Sequence, residues 1–191
     1  MEEHRIKSAL EIAMEKIAGM PGLTPEEVTK QKEREYRPIG EAIAKKYLAR
    51  AVREADLAIE LGKYRDDEGQ IVRRAFASSL CRSIDLRDAA GSRRAMQGIE
   101  LLAGANSRFE EAKKEFEEIF SEFEQKTQQR YTIFETMEKE RLRGLGITGS
   151  AVRPNVREQA DWQQEWSRIR QAYDLRLDKL RKTLMQRAQV T

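Results

Sequence analysis

The chain has one cysteine, Cys81, one histidine, His4, and only four prolines and eleven glycines in 191 residues. A lone cysteine excludes an internal disulfide; its apolar neighbourhood of Phe76, Leu80 and Ile84 predicts a buried core thiol in a reducing compartment. A lone histidine at the extreme N-terminus leaves no base for a Cys-His dyad or a triad. It also denies the carboxylate ladder Glu111, Glu115, Glu118 and Glu122 the Glu-x-x-His pairs of a di-iron bundle. Scarce glycine and proline leave little material for a turn-rich β protein. No apolar run approaches the roughly 18 residues that a spanning helix needs. The start, Met1-Glu2-Glu3-His4-Arg5, is charged and unlike a signal peptide. The expectation is a cytoplasmic protein with no enzymatic centre, no cofactor and no metal. Net charge is only +3, with a pI near 9.0, and most charges are interspersed. Bulk charge therefore does not single out nucleic acid as a partner.

What the chain does have is charge and helical periodicity. Charged residues make up 36% and hydrophobic ones 39%, a balance suited to helices that expose much of their surface. Ile6, Leu10, Ala13, Ile17 and Met20 form one helical stripe, stopped by Met20-Pro21-Gly22. Thr24, Pro25 and Glu27 form a capping box, with Leu23 and Val28 as a hydrophobic staple; this helix is expected to end near Tyr36, ahead of Pro38. Another stripe follows from Glu41 through Ile43, Tyr47, Ala51, Ala55 and Ile59 to Gly62. After the polar turn 65–69, Val72, Ala75, Phe76, Leu80 and Ile84 mark a further helix. Asp85 is the expected N-cap of the next, and Gly104 its stop.

The second half reads differently. From Ser107, paired with Glu110 as a capping box, helical pattern runs to Gly144 without a glycine or proline between Ser107 and Arg143. Such a helix is roughly 55 Å long. Its apolar line is Phe109, Ala112, Phe116, Ile119, Phe123, Ile133 and Met137. Asn155, with Glu158 at its third position, is the expected cap of a last helix. That helix carries Trp162, Trp166, Ile169, Tyr173, Leu177, Leu180, Leu184 and Ala188. Folded back on one another, the two stripes come into register when partner numbers add to about 299–300. Trp162 then meets Met137, Trp166 meets Ile133, and Leu177 meets Phe123. The acids Glu110, Glu111, Glu115, Glu117, Glu118, Glu122 and Glu124 face Arg176, Lys179, Arg181, Lys182 and Arg187 in that register. Exposed pairs of this kind contribute well under about 1 kcal/mol each, so they select a partner more than they stabilise.

Three motifs read as structural. Gly144-Leu145-Gly146-Ile147-Thr148-Gly149 matches the dinucleotide pattern of spaced glycines, but a long helix precedes it where a strand is required. Asp66-Asp67-Glu68-Gly69 is out of phase with a calcium loop. Trp162 and Trp166 could stack bases, yet a packed seam explains them more simply.

The fold expected is all-α: a bundle of about five short helices over residues 1–104, then a long antiparallel two-helix coiled-coil hairpin over 105–191 with a tip loop at 144–154. The function expected is that of an interaction or scaffold protein, presenting the hairpin tip to a protein partner and self-associating along leftover apolar stripes. The residues expected to carry it are Arg141, Arg143, Ile147, Thr148, Ser150, Val152, Arg153 and Arg157. The alternative is a nucleic-acid- or ribosome-associated factor that contacts phosphates through the same basic tip. A membrane-surface role for residues 4–20 is a weaker third reading.

Overall fold

The computed structural model describes residue 8 and residues 24–104, 107–149 and 151–188. Apart from residue 8, the expected helix over 6–20 and its stop, His4, the staple residue Leu23 and the tip residue Ser150 lie outside the described residues, as do the side chains of Ser107, Arg108, Arg187 and Ala188. Among the described residues the protein is all-helical. Its elements are α1 (Pro25–Leu48), α2 (Glu54–Gly62), α3 (Asp66–Ser83), α4 (Ala89–Ala103), α5 (Ser107–Gly144), a 3-10 turn at Val156–Glu158, and α6 (Ala160–Ala188). No helix among them is long and apolar enough to cross a membrane.

The start of α1 follows the sequence signal. The Glu27 amide donates to Thr24 Oγ1 at 3.2 Å and the Thr24 amide donates to Glu27 Oε2 at 2.8 Å. The expected break at Pro38 does not occur, and α1 continues through it to Leu48. An interior proline costs about 3 kcal/mol because it removes a hydrogen bond and crowds the preceding turn. Tertiary packing offsets that cost, since the turns after Pro38 bury Gly40, Ile43, Ala44 and Tyr47. At Gly40 a Cβ would lie 2.3 Å from the Val72 carbonyl oxygen and 2.8 Å from Ala75 Cβ. Gly40 is thus the crossing point of α1 and α3.

The stripe expected to run on to Gly62 breaks instead at Ala49 and Arg50, the latter at φ 60, before α2 begins. Arg94 of α4 holds that corner. Its Nε donates to the Tyr47 carbonyl at 2.7 Å and its NH2 to the Val52 carbonyl at 3.2 Å, with the guanidinium 4.3 Å from the Tyr47 ring centroid. The acidic run 66–68 is the first turn of α3, where carboxylates offset the positive end of the helix dipole. The cap of α4 is Asp88, whose Oδ1 accepts from the Gly91 amide at 2.9 Å, and not Asp85. Asp85 is occupied by the backbone and guanidinium of Arg87, which hold its carboxyl down at about 2. Gly104, at φ 63, ends α4 as expected.

One continuous core joins these helices. It runs from Ile43 and Tyr47 through Phe76, Leu80 and Cys81, then Met96 and Ile99, to Phe116, Ile119 and Phe120 of α5 and Leu177, Leu180 and Leu184 of α6. Burial pushes the Cys81 thiol up to about 12, fitting a packed side chain and opposing a nucleophile. Arg181 of α6 donates through Nε to the Ile84 carbonyl at 3.0 Å and through NH2 to the same oxygen, closing the end of α3.

Along α5 the apolar line divides. Phe109, Ala112, Phe116, Ile119 and Phe123 are buried, but Ile133 and Met137 are 46% and 61% exposed. The α6 seam passes instead through Tyr131 and Phe134, whose rings meet Trp162 edge-on at 5.3 and 5.7 Å. Nearer the core, Phe123 meets Tyr173 at 5.7 Å, and Arg176 pairs with Glu122 at 2.5 Å. The ring contacts sit about one turn or more from the expected register, whereas the Arg176–Glu122 pair lies close to it. Positions repeating every seven residues drift about 20° per repeat around a straight helix, and over three repeats that carries Ile133 and Met137 off the α6 face. The charge ladder is altered too: Glu117 and Glu124 pair with Arg93 of α4, and Lys113 with Glu100.

Candidate docking tip

The tip begins where α5 stops. The Ile147 amide donates to the Leu142 carbonyl and the Gly146 amide to the Arg143 carbonyl, both at 3.0 Å. Gly146 has φ 79, so these bonds form a Schellman stop with glycine in the left-handed position. Gly149, at φ 139, redirects the chain again. The glycine run is therefore a helix terminator and turn. Asn155 makes no side-chain cap, contrary to expectation, because Val156–Glu158 form a 3-10 turn that delays α6 to Ala160. Val156 is 0% exposed and anchors the loop.

The expected site residues fall into distinct environments. Arg141 is neutralised by Glu138 through Nε at 2.9 Å and NH2 at 2.7 Å. That pairing, joined by Gln159, lowers the Glu138 pKa. Arg157 stacks on Tyr131, with its guanidinium 5.8 Å from the ring centroid. Arg143 and Arg153 are exposed and form no ion pair with a described residue. Ile147 is 49% exposed, Thr148 is exposed, and Val152 is half-buried. Leu145, 63% exposed, belongs with them. The sequence reading leaves it out, although an apolar residue between two helix-ending glycines has no core to reach.

Beneath the tip, Trp162 is only 6% exposed and its ring is covered by Tyr131 and Phe134. That closes it to base stacking. Arg130 is engaged by Glu165 at 2.6 Å, and Arg170 lies 5.7 Å from the Trp166 centroid. The tip thus offers two exposed aliphatic side chains and two unpaired guanidiniums on a braced turn.

Residues 58–186 match one sequence family as a single stretch. The chain belongs to that family, DUF6657, whose function is unknown. The DUF6657 stretch extends from within α2 to within α6, so it includes the tip, the Trp162 seam, the Arg181–Ile84 contact and Arg94, but not the Tyr47 and Val52 carbonyls that Arg94 holds. It leaves out α1 and the α1 side of the Gly40 crossing. No curated protein and no solved structure matches the chain.

Proposed function

We propose that this protein is a non-enzymatic, cytoplasmic interaction protein, a short-helix bundle from which α5 and α6 extend as an antiparallel coiled-coil hairpin whose tip docks a protein partner. The observation that carries this reading is the exposure of Leu145 and Ile147 beside the unpaired Arg143 and Arg153. A loop that exposes aliphatic side chains while its backbone is held by a Schellman stop and the Val156 anchor is suited to binding with little ordering cost. The partner surface it fits is an apolar recess rimmed by carboxylates.

The same tip has a second reading, in which its arginines contact nucleic-acid phosphates. The free guanidiniums of Arg143 and Arg153 favour it, Arg157 stays exposed beside the Tyr131 ring, and the engagement of Arg141 by Glu138 weakens it. One set of variants separates the two. Ile147→Asp should leave the melting temperature unchanged and abolish crosslinking to the partner protein. Arg143→Ser with Arg153→Ser should weaken that crosslinking only in part. Binding to generic RNA or duplex DNA that falls by orders of magnitude between about 50 and 200 mM salt, and vanishes in the arginine variant, would make nucleic acid the partner. Unfolding of Ile147→Asp would refute the docking surface itself.

A further inference from the structure

We propose that two copies of this chain pack against each other along the uncovered stripe of the outer half of α5, antiparallel across a two-fold axis. On that helix the stripe Ala112, Phe116, Ile119 and Phe123 is buried by the rest of the chain. Its continuation, Ile133 and Met137, has no described cover and is 46% and 61% exposed. Lys126 and Glu140 stand one heptad either side of Ile133, on the same face. Both are exposed, and neither forms an ion pair with a described residue.

The placement of those two charges identifies the occupant. They lie about 21 Å apart along one helix, too far to pair within a chain. Beside a second α5 running the same way, Lys126 would face Lys126 and Glu140 would face Glu140. Reversing the second helix exchanges them. With facing residue numbers adding to about 270, Ile133 packs on Met137 of the second copy in both directions. Lys126 then faces Gly144 of the second copy and lies four residues, about 6 Å along the axis, from its Glu140, twice over. A two-fold interface requires a patch complementary to its own reversed image, and this stripe satisfies that in apolar contact and in charge. In that register Leu145 and Ile147 stand beside residues 123–125 of the second copy, so the tip surface is open to another partner in the monomer. With two aliphatic anchors per copy it belongs to the small, exchanging class of interfaces.

Analytical ultracentrifugation of the full chain over a concentration series, in low salt, tests this. The wild type should show a monomer–dimer equilibrium. K126E and E140K should each weaken dimerisation by at least about tenfold, because each sets like charges together twice. The double variant K126E/E140K should recover it, since the reversed pairs again face opposite charges. All three should melt with the wild type, as both side chains are exposed. A chain that stays monomeric at every concentration would overturn the proposal and point to a different occupant. So would a dimer indifferent to either reversal, or one that the double variant fails to restore.

Discussion

Gly40→Ala offers a test in which two opposing effects can be ranked. In an exposed helix interior this change stabilises by about 1 kcal/mol, through helix propensity and a less free unfolded chain. At Gly40 the added methyl would sit 2.3 Å from the Val72 carbonyl oxygen, 2.8 Å from Ala75 Cβ and 3.0 Å from the Phe76 amide nitrogen. Two of these are backbone atoms of α3 and cannot swing aside, so α1 and α3 must separate by roughly 1 Å to restore ordinary contact distances. Overpacking a close-packed interior costs about 1–3 kcal/mol, and a backbone obstacle belongs at the upper end. The net expectation is a loss of about 2 kcal/mol, or about 4–8 °C in Tm for a chain of this size. Gly62→Ala is the control: it adds the same methyl at the end of α2, where nothing lies within 4 Å. It should raise stability by up to about 1 kcal/mol. Urea and thermal unfolding followed by circular dichroism measure both. A Gly40→Ala protein as stable as the wild type, or a pair of variants moving in the same direction, would refute the close crossing.

Other consequences are as direct. Leu180→Asp, which places a carboxylate at a position with 0% exposure, should destabilise by more than about 4 kcal/mol. Ile133→Asp should change monomer stability by less than about 0.5 kcal/mol in dilute thermal melts. Arg94→Ala removes the charged donor of the Tyr47 and Val52 carbonyls and should cost about 2–3 kcal/mol in urea titrations, with Arg94→Lys recovering only part. The Asp85 carboxyl is held at about 2 by Arg87, against an ordinary 3.8. Its contribution is therefore complete above the ordinary value and is lost as pH falls through about 2. Urea midpoints measured between pH 4 and 2 should decline more steeply for the wild type than for Asp85→Asn; parallel curves would mean that the Arg87 bridge contributes nothing.

The elements that the sequence made legible are those whose signals are local. The capping box at Thr24, the glycine stop at Gly104 and the unbroken run from Ser107 to Gly144 each depend on residues a few positions apart. Pro38 misleads because its local cost is outweighed by burial against α3, and no window around it contains Val72. Arg50 at φ 60 bends the chain with no glycine to announce it. The seam is misplaced for a geometric reason, since an apolar line repeating every seven residues does not stay on one face of a straight helix. At the tip, the concentration of basic charge was readable, but its availability was not read in full. Glu138 lies three residues before Arg141, and that spacing alone indicates an intrahelical pair. The placement of the exposed Arg157 beside the Tyr131 ring depends on α5, and spacing carries no trace of it.

The division of α5 bears on how the molecule breathes. Among the described residues, every buried side chain of that helix lies between Phe109 and Phe123, and none from Glu124 to Gly144. A single hydrogen-bonded rod is thereby deeply buried at one end and held at the other by the half-buried Tyr131 and Phe134 against Trp162. Opening free energies along a helix follow its local burial, so amide deuterium uptake should begin at the Gly146 stop and progress inward. The turns around Phe116 and Phe120 should exchange only when the whole core opens. The outer turns of α5 can then open while its core-bound half stays closed.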